Sequence, residues 1–355
     1  MNFDRSPLLV IWEVTQACDL SCAPCRSSLR PERDSQELTT EQGFRLLDEV
    51  KCFGNPLMVF TGGDPLKRTD LFDLIGYSVG LGLRTNVTPS ATPRLTDEAI
   101  DRFKSSGIAR MAVGLDGPNA SVHDAFRRVG GTFERAMAAL RRAQEIGLET
   151  QVQTTVNHRN KGLLGQIAER VFETNGKMWS LFFPVATGLA VDDDLTGEEY
   201  EEVFETLYEL SKYAPFDIKT TEGMHYRRYI AQHQHSPVKP GENARRVAWR
   251  SAGVGDGKGF VFVSHRGEIY PSGFLPVSGG NVLRDSLVGV YQSSPLFIDL
   301  RNPAKRDGKC GYCDYHNLCG GSRSRAYALT GNYLGPDPRC TYQPQHAELL
   351  QVVGV

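Results

Sequence analysis

Between residues 7 and 185, short β-branched or apolar runs alternate with longer segments of helical period, and this alternation constrains the fold more than any other feature of the chain. It is the pattern of repeated βα units around a parallel sheet. Six units are expected, with strands at 8–14, 57–61, 83–87, 109–115, 149–156 and 178–184, and helices near 40–53, 69–80, 96–106, 132–147 and 161–175. The helix ends carry their own signals. Thr39 and Gln42 have capping-box spacing, Thr96 precedes Asp97 and Glu98, and Gly82, Gly107 and Gly147 stand where C-caps belong. Six parallel units make an α/β partial barrel or an open doubly wound sheet, and in both the chemistry gathers at the carboxyl ends of the strands.

Beyond that repeat the character of the chain changes. Residues 191–215 begin with an acidic run, Asp192-Asp-Asp194, and continue as an amphipathic helix from Glu198 to Lys212, read as a connection leaving the barrel. Residues 236–281 are rich in Gly, Pro and Ser, with a hairpin expected between Gly259 and Tyr270. The expected organisation is therefore a barrel over 1–190, a helical linker and substrate-side segment over 191–258, and a third region over 259–355. A net charge of -2 offers no footprint for nucleic acid, and no apolar run reaches the length of a membrane span. The chain opens Met-Asn-Phe-Asp-Arg without an export signal, so a cytoplasmic location with free thiols is expected.

Eight cysteines fall into two sets and one stray. Cys52 lies on the first predicted helix with Phe44, Leu47 and Val50, and core packing is expected for it. Cys18, Cys22 and Cys25 follow the first strand as Cys-x3-Cys-x2-Cys. Three thiolates on one loop can hold three irons of a [4Fe-4S] cluster and leave the fourth open to a small molecule. A zinc site completed by a distant fourth ligand is the alternative. After the second strand comes Thr61-Gly-Gly-Asp-Pro65, whose glycine pair permits close backbone approach to a ligand and which, taken alone, is equally an ordinary turn.

Together, the cysteine loop after strand one and Gly62-Gly63-Asp64-Pro65 after strand two resemble the two markers of the radical S-adenosylmethionine superfamily, with Asp64 in place of the usual Glu. The resemblance implies a partial (β/α)6 TIM-like barrel. It also implies that the open iron chelates the methionine amino and carboxylate groups, and that the glycines meet the amino group. Reductive cleavage then releases a 5'-deoxyadenosyl radical that abstracts a substrate hydrogen. Leu115-Asp116-Gly117 and His123-x3-Arg127 resemble the family's Ser-x-Asp-Gly and His-x3-Arg stretches, with Gly114 where the serine stands. Thr88, Ser90, Asp116 and Asn157 are the implied nucleoside or methionine contacts, and polar residues at strand ends such as Thr88, Ser90 and Asn157 are equally suited to cap helices. An electron donor such as flavodoxin or ferredoxin is implied too.

The second set reads Cys310-x2-Cys313-x5-Cys319-x20-Cys340. Spacing alone divides evenly between a structural zinc and a complete [4Fe-4S] cluster. The segment resembles the SPASM or twitch extension, which implies iron and, with Ser272 where a seven-cysteine SPASM domain has another thiol, one auxiliary cluster on these four cysteines.

Trp12-Glu-x-Thr-x-x-Cys18, Cys25-Arg26 and Cys319-Gly-Gly-x-Arg-x-Arg-Ala326 are most similar to the alternative haem synthase and haem d1 group, which implies oxidative decarboxylation or other modification of a tetrapyrrole side chain. The pyrroloquinoline quinone and mycofactocin maturases share the architecture, so a peptide substrate is the second reading; only 17 residues precede Cys18, which favours a small molecule. Dehydrogenation or decarboxylation of a sugar or nucleoside is a third. A non-catalytic cluster protein is a fourth, opposed by the Gly-Gly-Asp-Pro turn. Finally, His225, Arg227 and Arg228 in the segment 219–229 are suited either to carboxylates and a haem-type iron or to a solvated basic helix turn.

Overall fold

The computed structural model describes residues 2–22, 25, 31–185, 194–233 and 253–344. Arg26, the acids at 192–193 and the Gly-, Pro- and Ser-rich stretch up to residue 252 lie outside the described residues. All six expected strands are present: β1 (Leu9–Glu13), β2 (Leu57–Thr61), β3 (Thr85–Val87), β4 (Arg110–Gly114), β5 (Thr150–Thr155) and β6 (Met178–Phe182). They pair in parallel, in chain order. The expected helices are α1 (Thr40–Cys52), α2 (Leu71–Gly80), α3 (Asp97–Ser105), α5 (Thr132–Glu145) and α6 (Leu164–Glu173). Thr39 closes its capping box with Gln42, Thr96 accepts from the Ala99 amide, and Gly82, Gly107 and Gly147 take left-handed φ of 74°, 80° and 67° at the helix ends.

A seventh parallel strand, β7 (Asp217–Thr221), pairs with β6. The acidic helix before it, α7 (Gly197–Tyr213), does not leave the sheet. It buries Tyr200, Val203, Phe204 and Leu207 and returns the chain to the sheet edge. The sequence Asp-Ile-Lys-Thr-Thr hides this strand, because its polar residues sit on an edge strand where burial does not impose alternation.

Later segments extend the sheet at its other end. β8 (Phe260–Val263) pairs in parallel with β1, and β9 (Glu268–Tyr270) and β10 (Gly280–Asn281) follow as antiparallel strands, giving ten in the order β10-β9-β8-β1-β2-β3-β4-β5-β6-β7. Among the described residues β7 and β8 are not paired. Yet the Lys219 Nζ of β7 stands 5.5 Å from the Phe260 ring centroid of β8, and Phe182 lies 6.3 Å from Phe274. The sheet curls until its two sides nearly meet, which is a barrel with an open seam.

Alternation sorts the two faces. Val10 and Trp12 of β1 are fully buried in the main core beneath α1 and α2, whereas Leu9 and Ile11 join Leu57, Val59 and Phe260 on the concave face. α1 approaches β1 so closely that a Cβ on Gly43 would lie 2.7 Å from the Trp12 ring. Its buried stripe is Gly43, Leu46, Leu47 and Val50. Cys52, two residues past Val50, is rotated about 200° from that stripe and is exposed, so it is not a packing residue.

The remaining helices are α4 (Ala120–Arg127), α8 (Tyr226–His233), α9 (Leu287–Ser293), α10 (Pro295–Arg301), α11 (Gly308–Gly311) and α12 (Arg323–Thr330). No described helix is long and apolar enough to cross a membrane.

Candidate active site

At the carboxyl ends of β1 to β5, a cavity of about 210 Å³ is lined by Cys18, Cys22 and Cys25 on one side. On the other are Gly62, Gly63, Thr88 and Ser90, together with Gly114, Gln153 and Thr155 from the concave face. The loop geometry explains the glycines. The Gly63 amide donates to the Thr15 carbonyl, and a Cβ on Gly63 would lie 2.5 Å from the carbonyl oxygens of Gln16 and Ala17. Only glycine lets this turn lie flat against the chain that leads into Cys18. Ser90 fastens the two loops, its hydroxyl donating to the Gly63 carbonyl at 2.6 Å and lying 3.7 Å from the Cys18 sulfur.

Asp64 faces away from the cavity. It is fully buried, accepts from the Thr92 hydroxyl at 2.6 Å and caps the turn at Pro65 through the Leu66 amide at 3.1 Å. Burial raises its pKa, so the hydroxyl and amide donors are what make a carboxylate tolerable there.

Asp116, also buried, stands two residues past the end of β4 and is held from two sides by α4. Its backbone amide donates to His123 Nδ1 at 3.0 Å, and its carboxylate pairs with Arg127 at 2.6 Å. The spacing of four residues places His123 and Arg127 on one helix face. Burial lowers the His123 pKa to about 4, which keeps the ring neutral and Nδ1 an acceptor. Burial also opposes the Arg127 charge, but the neighbouring Asp116 and Cys22 outweigh it and the pKa is raised. The other end of the guanidinium reaches the Cys22 sulfur at 3.5 Å. A side chain at position 114 would stand where this guanidinium lies, so Gly114 is what opens its path.

The second set of cysteines rings another cavity, with His225, Arg228, Lys309 and Gly321 in its wall. Backbone amides point at the sulfurs: Asp337 to Cys310, Tyr315 to Cys313 and Gly321 to Cys319, each at 3.4 Å. Arg323 adds a contact to Cys310 at 3.7 Å. Burial pushes the Cys319 thiol up to about 12 and that of Cys340 up to about 11. Thiolates here need a compensating cation, and amide donors with a cationic surround are what an anionic four-thiolate cluster requires.

Residues 12–170 match the radical SAM superfamily. The AdoMet-dependent heme synthase of Oleidesulfovibrio alaskensis is 37% identical over 350 residues, covering 96% of this chain and 89% of that protein. The chain belongs to the radical SAM superfamily. Mycofactocin maturase MftC of Mycolicibacterium smegmatis is 29% identical over 355 residues, covering 96% and 85%. Among solved structures, Streptococcus suis SuiB bound to S-adenosylmethionine aligns with a TM-score of 0.73 at 15% identity, over 95% of this chain and 78% of that one, a likeness of fold.

As a radical SAM enzyme the protein works with a [4Fe-4S] cluster and S-adenosylmethionine. Of the residues that the sequence suggests for binding them, Cys18, Cys22, Cys25, Gly62, Gly63, Thr88 and Ser90 line the first cavity. Asp64, Pro65, Asp116 and Asn157 do not line it; Asp116 holds Arg127 and Thr155, which do, and the Asp64 amide donates to the Ala17 carbonyl beside Cys18. Asn157 accepts from the Arg159 amide at 2.8 Å and donates to the Thr155 carbonyl at 3.1 Å. Sequence reasoning missed Gln153 and Thr155. Their signal was the alternation Thr-Gln-Val-Gln-Thr-Thr in β5, which turns polar side chains toward the concave face. His225 is no solvated turn residue. It is fully buried, stacked 5.1 Å from Tyr200 at 23°, and neither ring nitrogen has a hydrogen-bond partner among the described residues. Burial lowers its pKa to about 3, so it is a neutral ring beside the second thiol set.

Proposed function

We propose that this enzyme modifies a carboxylate-bearing side chain of a tetrapyrrole, in the manner named by its AdoMet-dependent heme synthase relatives, with oxidative decarboxylation as the reaction class. The carrying observation is the 37% identity over 96% of the chain, which includes both cysteine sets. In this reading Cys18, Cys22 and Cys25 ligate three irons of the first cluster, and Gly62, Gly63, Thr88 and Ser90 seat S-adenosylmethionine beside the open iron. Cys310, Cys313, Cys319 and Cys340 ligate one auxiliary [4Fe-4S] cluster. When bound, the first cluster and S-adenosylmethionine supply a 5'-deoxyadenosyl radical.

The protein's own work is positional. Arg127 brings a positive charge to the Cys22 edge and fixes Asp116, which in turn accepts from the Thr155 amide at 2.8 Å and so holds the end of β5. The flat Gly62-Gly63 turn leaves room for the cofactor, and Gln153 and Thr155 offer polar groups to its nucleoside. The substrate side chain loses CO2 and two hydrogens: one leaves as the abstracted atom, the other as the carboxyl proton to solvent, and the remaining electron goes to a one-electron acceptor, a role the auxiliary cluster held by Cys310, Cys313, Cys319 and Cys340 would fill when bound. The reductant in this reading is a flavodoxin or ferredoxin, and the compartment is the cytoplasm. A peptide substrate is the second reading, favoured by the 29% identity to MftC. Anaerobic turnover with iron porphyrins and with peptides, followed by substrate mass, separates the two.

A further inference from the structure

A second chamber opens on the same concave face, beside the first cavity. It has a volume of about 400 Å³ and lies at the ends of β1, β8 and β9. Strand register places its walls. Ile11 pairs with Phe262, and Phe262 with Tyr270, so Glu13, Phe262 and Tyr270 share one face. Glu13 is aligned with Thr61, which lines the first cavity.

One thickness of chain divides the two spaces. The carbonyl of Gln16 abuts Gly63 on the cofactor side, while Gln16 itself lines the second chamber and its Nε2 donates to Glu13 at 3.2 Å. The far wall leads to the second cysteine set. Ser272 lines the chamber, and its hydroxyl lies 3.2 Å from that of Ser324, which stands on α12 shortly after Cys319. A molecule held here touches the backing of the first cysteine site at one end and the support of the second at the other.

The lining has a definite chemistry. Phe262 and Tyr270, with centroids 6.4 Å apart, and Pro276 give it flat apolar surface. Both of its acids are engaged by protein donors. Glu13 is held by Gln16 and by His265 at 3.2 Å, and Glu268 accepts from Ser278 at 2.6 Å and Asn281 at 2.8 Å. At the rim His265 stands between Glu13 and Asp34, and the Arg266 guanidinium pairs with Asp34, so the charged groups here are matched within the protein. We infer that this chamber is the substrate site, that it takes a flat aromatic molecule, and that Phe262 and Tyr270 select it. The inference rests on the tetrapyrrole reading for its ligand, and on the structure alone for its place.

The test uses the anaerobically reconstituted enzyme and an iron coproporphyrin as probe, with binding followed by the porphyrin absorption band. Ser272→Phe fills the chamber, and Tyr270→Leu removes its aromatic wall while keeping an apolar side chain there. Iron content and S-adenosylmethionine affinity, measured on each variant, show that the first site is intact. Both variants are expected to weaken porphyrin binding by about tenfold or more, while S-adenosylmethionine affinity stays within about twofold. Unchanged porphyrin affinity in both overturns the assignment of the chamber and leaves the tetrapyrrole reading standing. A wild-type enzyme that binds no porphyrin overturns that reading, and the ligand assigned here with it.

Discussion

Arg127→Ala is the most informative single change. The guanidinium pairs with Asp116 at 2.6 Å, where the carboxylate is fully buried and the arginine side chain is 21% exposed. Removing the cation leaves Asp116 with the Thr155 amide as its remaining donor at 2.8 Å. Breaking a buried pair by deleting one partner costs about 3–5 kcal/mol, and the partial exposure of Arg127 places this pair near the lower end, about 3 kcal/mol. With an unfolding entropy of about 2 cal/mol/K per residue, a chain of this size loses roughly 4 °C of Tm for that amount. Thermal unfolding by circular dichroism on anaerobically reconstituted protein reads it. Arg127→Ala combined with Asp116→Asn should cost less than the sum of the two, with a coupling of about 2 kcal/mol. Gly114→Ser, which restores the family's serine, should behave like Arg127→Ala because its Cβ occupies the guanidinium's path. A Tm change below about 1 °C for Arg127→Ala, or additive costs in the double variant, would refute the reasoning.

Other predictions follow from the two cysteine sites and from a buried acid. Cys22→Ala should abolish cleavage of S-adenosylmethionine and leave the second cluster in place, while Cys319→Ala should spare uncoupled cleavage and lose substrate turnover; iron content and 5'-deoxyadenosine release check both. Glu222, buried beside Asp256, Asp337, Arg325 and Ser322, is pushed by burial from 4.5 up to about 8. Its protonated form contributes stability that is complete below the unfolded pKa and is lost as pH rises through the folded value. Tm should therefore fall between about pH 5 and pH 8 more steeply in the wild type than in Glu222→Gln, and equal slopes in a pH series of melting curves would count against it.

Much of the barrel was legible because its units obey local rules. Capping signals at Thr39 and Thr96, C-cap glycines and buried apolar runs all agreed with the global fold, as they do in a consistent sequence. What escaped was fixed by tertiary context. β7 is a polar edge strand, and α4, eight residues long, is stabilised by Asn119 at its N-cap and by what His123 and Arg127 reach across to. The cysteines and glycines of the first site announced themselves, since metal ligation and close approach demand particular residues. Asp64 and Asp116 stood in the right motifs, but as supports, because a buried carboxylate settles where donors meet it. Of the two readings open for the segment 219–229, the solvated basic turn fails: Arg228 and His225 are buried and Arg227 donates to the Val254 carbonyl at 2.7 Å. Charge composition does not reveal which cations a later segment will cover.

The central claim is the pairing of a radical site with a tetrapyrrole substrate, and the mass of that substrate after turnover tests it most directly. Reconstituted enzyme, reduced anaerobically with S-adenosylmethionine and an iron coproporphyrin, should yield 5'-deoxyadenosine and a product lighter by about 46 mass units for each side chain that loses CO2 and two hydrogens. An unchanged porphyrin, alongside a mass change in a peptide supplied under the same conditions, would contradict the account.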